Sequence, residues 1–115
     1  GKFKSKGKST KERNELIRDS KLLEEAGVFS IVLECVEKKL AKKITNSIKI
    51  PTIGIGSSNN CDGQILVIDD ILGLTESKMK FVKKFADAKR LITYAAKRFK
   101  KEVQSKKYPS QKYSY

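Results

Sequence analysis

The chain contains no histidine and only two cysteines, and these absences limit the sites that it can build. Cys35 and Cys61 do not form a paired motif, and no imidazole is available to complete a ligand set. A metal site made from these residues is therefore not expected. The sequence also lacks a secretory leader and an apolar run of membrane-spanning length, so we expect reduced thiols in a cytoplasmic protein.

Acidic residues are scarce relative to basic ones, and the 115-residue chain carries a formal net charge of +13. Lysine supplies nearly all of the positive charge, with arginine only at positions 13, 18, 90 and 98. Excess positive charge can mark a nucleic-acid partner, but readers of bases and phosphates usually use the planar fork of arginine. We interpret the lysines mainly as solvated surface, and keep a small lysine-rich nucleic-acid-binding module as the alternative function.

The centre of the chain, residues 29–56, has the pattern of a strand, a helix and a second strand. The apolar runs 29–33 and 51–56 are rich in β-branched residues, which is typical of strands buried on both faces. Helical spacing between them predicts an amphipathic helix over about 37–48. Such a unit predicts parallel strands with chemistry at their carboxyl ends, where Glu34 and the segment 54–56 lie.

A helix is predicted on the N-terminal side of this unit, after a basic loop at residues 1–8. Ser9 and Glu12 form a capping box, in which the serine hydroxyl accepts from the glutamate amide and the carboxylate reaches back. The helix should run over 10–26, and Gly27 is suited to end it.

The C-terminal side predicts a third strand and a long helix. The run 65–68 is apolar and β-branched, and it stops at Asp69 and Asp70. The eight-residue loop before it is short for a parallel crossover, so local reasoning favours either antiparallel pairing or a bulged connection without a helix. Ser77 is the predicted cap of a last helix over about 78–105, with an apolar stripe that should face the core.

Several segments occur together in an order and spacing that resembles a known enzyme family. They read LEEAGVFSIVLECV, IPTIGIG, CDGQILV and DILGL, followed by KFVKKFAD and a tail that begins YPSQ. Together they resemble the C-terminal part of the ketopantoate hydroxymethyltransferase family, and the similarity covers essentially the whole chain. No single motif decides this, but the ordered set is specific.

The resemblance implies an α/β fold, namely the C-terminal part of a (β/α)8 TIM barrel. The implied order is helix-strand-helix-strand-strand-long helix, with parallel pairing of the last two strands. We expect one partial domain over residues 1–115, with a loop at 1–8 and an irregular tail at 106–115.

The resemblance also implies a one-carbon transferase of pantothenate biosynthesis. The family moves a hydroxymethyl group from 5,10-methylenetetrahydrofolate to 3-methyl-2-oxobutanoate and yields 2-dehydropantoate. It uses Mg²⁺ and assembles as cytoplasmic decamers, so we expect a homo-oligomer. The Mg²⁺ ligands are expected in an N-terminal barrel half, in the same or another chain, and this chain alone should be inactive.

Glu34 matches the family's proton acceptor, which removes the C3 proton of the oxo acid and leaves an enolate. The residues alone leave open a barrel-end acid paired with a lysine. Gly54 and Gly56 lack the third glycine of a phosphate-binding motif, which favours close backbone packing. Asp69 and Asp70 are interpreted as acids that cap a turn or orient neighbours rather than as metal ligands.

Three departures from the family pattern stand out. The family usually has His-Asp at Asp69-Asp70, a more acidic tail with a histidine where this chain has residues 111–113, and an Ala-Gly-Pro-rich loop at 57–60. Loss of the histidine removes a neutral hydrogen-bonding group and adds negative charge. This puts substrate contacts in question, but not the fold.

Overall fold

The computed structural model describes residues 4–115, so the first three residues of the predicted basic loop lie outside the described residues. Two compact units make up the chain. The first, here called the sheet unit, contains the residues up to 67 together with 78–82, and the second, the helical unit, contains 68–77 and 83–115. The assignment of the whole chain to one domain stays a prediction.

The elements follow the predicted order with two additions, a short helix after the third strand and a 3-10 turn in the tail. They are α1 (Thr10–Glu25), β1 (Ile31–Glu34), α2 (Lys38–Ser47), β2 (Thr52–Ile55), β3 (Gly63–Gln64), α3 (Ile68–Ile71), α4 (Ala88–Gln104) and a final 3-10 turn (Gln111–Tyr113). Within residues 4–115, no helix is both long and apolar enough to cross a bilayer.

Helix α1 begins at the predicted cap, but only half of the capping box forms. The Ser9 hydroxyl accepts from the Glu12 amide at 3.2 Å. The Glu12 carboxylate accepts instead from the Gly7 amide at 2.8 Å and so ties the preceding loop to the helix. At the other end, Gly27 adopts φ +90°, and its amide donates to the Glu24 carbonyl, as expected of a glycine that ends a helix.

The three strands form one parallel sheet in the order β1-β2-β3. This confirms the strand-helix-strand unit, although both strands are shorter than predicted and β1 begins at Ile31 rather than Phe29. It also confirms parallel pairing of the last two strands. Of the two local alternatives, antiparallel pairing was wrong and a connection without a helix was right, because the two-residue strand Gly63–Gln64 reaches β2 through a short loop.

The sheet has one covered face and one open face, which is exposed along β1 and half-buried along β2; this corrects the prediction of strands buried on both sides. Burial alternates along β1, where Ile31 and Leu33 are buried and Val32 and Glu34 are exposed. Helix α2 packs its apolar face on the covered side, as predicted. The core cluster consists of Ile31, Leu33, Val36, Leu40, Ala41, Ile44, Ile48 and Cys61.

The predicted third strand lies too far along the chain. Pairing with β2 involves Gly63 and Gln64, and the Ile65 amide donates to the Gly54 carbonyl at 3.0 Å. The following acids, Asp69 and Asp70, are therefore not at a strand end. They form the centre of α3, because the helical turn is closed by bonds from later amides back to residues 68–70.

The last helix begins at Ala88, ten residues later than the 78–105 prediction. Its cap is Asp87, whose carboxylate accepts from the Arg90 amide at 3.1 Å, rather than Ser77. The backbone amides of residues 85, 86 and 88 donate hydrogen bonds to the carbonyls of Ile71 and Leu72. These amides are therefore not bonded to carbonyls four residues earlier, as a helix before α4 would require. Contrary to prediction, no residue of α4 is buried within the described chain.

Candidate active site

Glu34 is the last residue of β1 and therefore lies at the carboxyl end of the parallel sheet. Its neighbour across the ladder is Ile55, the last residue of β2. The Glu34 side chain is exposed and shares the open face of the sheet with Val32. The structure thus gives Glu34 the strand-end location expected of a catalytic carboxylate, while its role stays a prediction.

The backbone that follows Glu34 turns sharply and is held on both sides. Cys35 adopts φ +53°, a left-handed conformation that few residues other than glycine take up. Its amide donates to the Ile55 carbonyl at 3.0 Å, and its carbonyl accepts from the Lys6 amide at 2.8 Å. The Lys6 backbone carbonyl also accepts a hydrogen bond from the Glu37 amide at 2.8 Å, so neighbouring segments hold the turn in place.

A serine side chain adds a third attachment to this turn. The Ser57 hydroxyl donates to the Leu33 carbonyl at 2.6 Å and accepts from the Val36 amide at 3.0 Å. One side chain from the end of β2 therefore contacts the backbone on each side of Glu34. No local pattern in the sequence indicates this role for Ser57, because only the pairing of β1 with β2 brings the serine close to Glu34.

The thiol next to Glu34 is held in its neutral form. Burial raises the pKa of Cys35, and the negative charge of the adjacent Glu34 carboxylate raises it further. Both Cys35 and Cys61 are free thiols in the described structure. At neutral pH the Cys35 thiol is therefore a small apolar neighbour of the site rather than a nucleophile.

Gly54 in β2 and Gly56 just after it serve close packing, in agreement with the interpretation from sequence. A side-chain carbon at Gly54 would lie 2.9 Å from Gln64 Oε1 and 3.1 Å from Cys61 Sγ. Gly56 adopts φ +63°, and a side-chain carbon there would lie 2.5 Å from the Phe81 ring. Both glycines allow other groups to approach the end of the strand.

The CDGQ segment is also structural. The Asp62 carboxylate accepts from the Thr52 amide at 2.8 Å and from the Thr52 hydroxyl at 3.3 Å. The side-chain amide nitrogen of Gln64 donates a hydrogen bond to the Ser58 carbonyl at 2.7 Å. These bonds hold the loop that brings β3 to β2. Asp62 therefore stabilises the structure of this loop.

The acids at 69 and 70 belong to the helical unit. Asp70 is buried and accepts a hydrogen bond from the Thr75 hydroxyl, which agrees with an acid that orients its neighbours. Within residues 4–115, no three histidine, cysteine, aspartate or glutamate side chains are grouped so that they could hold a metal ion. The described residues therefore do not fit a complete Mg²⁺ site.

The sequence was compared with known families and with curated proteins. The family model for ketopantoate hydroxymethyltransferase matches residues 1–111. Three similar curated proteins are each named 3-methyl-2-oxobutanoate hydroxymethyltransferase. That of Pelagibacter ubique is 58% identical over 113 residues, 98% of this chain. Those of Carboxydothermus hydrogenoformans and Geobacter metallireducens are 49% and 47% identical over the whole chain.

The chain spans only part of each relative. It covers 44% of the Pelagibacter ubique protein and 42% of the Carboxydothermus hydrogenoformans protein. Together with the parallel sheet, this agrees with a partial α/β barrel. None of these matches supports the nucleic-acid-binding alternative. The chain belongs to the ketopantoate hydroxymethyltransferase family.

Proposed function

We propose that this chain forms the C-terminal part of a 3-methyl-2-oxobutanoate hydroxymethyltransferase, with Glu34 as the residue that accepts a proton from the substrate. The observation that carries the proposal is the position of Glu34 at the carboxyl end of β1, on the open face of a parallel sheet. The substrates are 3-methyl-2-oxobutanoate and 5,10-methylenetetrahydrofolate, and the product is 2-dehydropantoate of pantothenate biosynthesis.

The open face supports this assignment because parallel sheets are normally covered on both sides. Here α2 covers one side, while Val32, Glu34, Ile53 and Ile55 form the other. In a closed α/β barrel, the face opposite the helices is the barrel interior, and catalytic groups come from its carboxyl rim. Closing the barrel would place Glu34 at that rim, above an apolar interior.

The remaining strands would come from an N-terminal barrel half in the same or another chain. Mg²⁺ is proposed as the cofactor from the family alone, with ligands in that other half. A cytoplasmic homo-oligomer, a decamer as in the family, is proposed on the same basis.

The chemistry follows from the carboxylate. The C3–H bond of the oxo acid is adjacent to a carbonyl, so Glu34 takes the proton while the bonding pair moves into the enolate. The enolate carbon bonds to the one-carbon unit, whose two C–N bonds to the folate break, and water supplies the hydroxyl oxygen. The proton taken up by Glu34 and one proton of the water go to the two folate nitrogens, so that tetrahydrofolate is the leaving product.

The test is turnover by a complete barrel that contains this chain, with Glu34→Gln as the variant. Amide for carboxylate preserves shape but removes the proton acceptor. We expect kcat to fall by about 10²- to 10⁴-fold, the usual contribution of a general base. Glu15→Gln, an exposed acid of α1, is the matched control and should retain wild-type turnover. A Glu34→Gln enzyme with wild-type kcat would refute the proposal.

A further inference from the structure

We infer that Ser57 is a positioning residue, whose hydroxyl holds the backbone on both sides of Glu34 and so aims the carboxylate at the C3 proton. The inference rests on the proposed function of Glu34. It adds to the proposed site a residue that follows β2 and whose side chain bonds to the backbone on both sides of Glu34.

The geometry of the hydroxyl is specific. It donates to the carbonyl of Leu33, the residue before Glu34, at 2.6 Å. It accepts from the amide of Val36, the second residue after Glu34, at 3.0 Å. One side chain thereby uses both its donor and an acceptor position to bridge the sequence from 33 to 36, and Glu34 lies inside that bridge.

The bridge is needed because β1 leaves the sheet at this point. The Cys35 amide still bonds to the Ile55 carbonyl of the neighbouring strand, but the left-handed turn at Cys35 directs the chain away. Val36 is 6% exposed, so its amide requires a partner from the protein. Ser57 supplies that partner and joins the turn to the end of β2.

Backbone position determines where the Glu34 carboxylate lies, since its side chain is on the open face. Misplacement of a catalytic group by about 1 Å can cost about 100-fold in rate. In Ser57→Ala the bonds from Ile55 and Lys6 would still hold the turn. The family's loop is usually Ala-Gly-Pro-rich, which also suggests a partial effect, so we expect a loss of about 3- to 10-fold.

The experiment uses the complete barrel with Mg²⁺ and follows uptake of deuterium from D₂O at C3 of 3-methyl-2-oxobutanoate, without folate. This isolates proton removal from the later transfer. Ser57→Ala is compared with Ser57→Thr, which keeps the hydroxyl. Ser20→Ala is the matched control, because the buried Ser20 hydroxyl also donates to a backbone carbonyl, that of Ile17, at 2.7 Å. Rates are normalised to the folded fraction, measured by circular dichroism.

We expect Ser57→Ala to slow deuterium exchange and to lower kcat by the same factor, with KM unchanged. Ser57→Thr should restore most of the rate. Ser20→Ala should have no effect on the normalised rate. A merely structural role would reduce the folded fraction and leave the normalised rate unchanged, which would overturn the inference. Failure of threonine to restore the rate would also overturn it, because the hydroxyl would then not be the cause.

The variant Glu34→Gln separates this inference from the proposed function. If Glu34→Gln exchanges deuterium at the wild-type rate, the proposal that Glu34 is the proton acceptor is wrong. If Glu34→Gln is inactive and Ser57→Ala exchanges at the wild-type rate, the proposed function stands and only the role of Ser57 is wrong.

Discussion

Helices α2 and α4 begin in the same way but differ in what they bury. Each is capped by an acid whose carboxylate accepts from the amide three residues later, Glu37 from Leu40 and Asp87 from Arg90, both at 3.1 Å. Both sequences are amphipathic. Yet α2 buries three residues and α4 buries none among the described residues.

The difference shows that an amphipathic pattern predicts a helix but not the surface that covers it. Helix α2 has a sheet to pack on, and Ile44 at its centre is 1% exposed. In α4 the corresponding apolar side chains face solvent, and Ile92 is 57% exposed. All buried apolar residues of the described chain therefore lie in the sheet unit. The stability of the chain should depend on that unit.

The largest expected effect separates the two helices directly. Ile44→Ala leaves a cavity in the core and should lower the free energy of unfolding by about 2–5 kcal/mol. Ile92→Ala removes the same atoms from an exposed position and should change it by less than about 0.5 kcal/mol. Chemical denaturation of the chain, followed by circular dichroism, measures both.

Equal losses in the two variants would contradict the comparison, because they would mean that Ile92 is covered in solution. Repeating the pair in a complete barrel sharpens the test. A cost of Ile92→Ala that rises only in the barrel would show that α4 is covered by the other half or by another subunit.

A second, smaller effect compares glycines of the two units. Gly27 and Gly73 adopt φ +90° and +70°, so alanine is strained at both, by about 1–2 kcal/mol. An added side-chain carbon at Gly27 meets nothing within 4 Å, whereas at Gly73 it would lie 2.5 Å from the Ala86 carbonyl oxygen. Gly73→Ala should therefore cost roughly 1–3 kcal/mol more than Gly27→Ala.

The same denaturation measurement checks this pair. If Gly73→Ala costs no more than Gly27→Ala, the turn that joins α3 to the segment before α4 is not held closely in solution. The helical unit would then lack even this local packing.

Short-range patterns predicted the elements of the sheet unit well, because their causes are local. The Ser9 cap, the end of α1 just before Gly27 and the buried face of α2 each depend on a few consecutive residues. The strand-end position of Glu34 followed from the same kind of pattern.

The errors arose where distant contacts decide the structure. The run 65–68 has strand-like composition, but β2 pairs with Gly63 and Gln64, so the acids at 69 and 70 enter a helix instead. The start of α4 at Ala88 depends on bonds back to Ile71 and Leu72. Ser57 was missed for the same reason, since its partners are more than twenty residues away in sequence. Periodicity contains no information about such partners.

The smallest expected effect compares one carboxylate from each unit. Hydrogen bonds from the Lys39 and Leu40 amides lower the pKa of Glu37, with help from the charge of Arg13. A hydrogen bond from the Lys89 ammonium, together with its charge, lowers the pKa of Glu76. Because both values lie below those of the unfolded chain, the stabilisation is present above the unfolded pKa. It is lost as the pH falls through the folded pKa.

The two carboxylates should respond differently to salt, since one pKa is lowered mainly by backbone amides and the other by an exposed lysine. At about 1 M salt the screening length falls to about 3 Å, so the pKa of Glu76 should rise towards its ordinary value. The pKa of Glu37 should change less, because fixed amides remain beside it. Carboxyl carbon shifts, measured by NMR during a pH titration, report both. Lys89→Met should raise the pKa of Glu76 and leave that of Glu37 unchanged. Equal salt dependence would mean that Glu37 too is governed by its charged neighbours rather than by the N-terminal amides of α2.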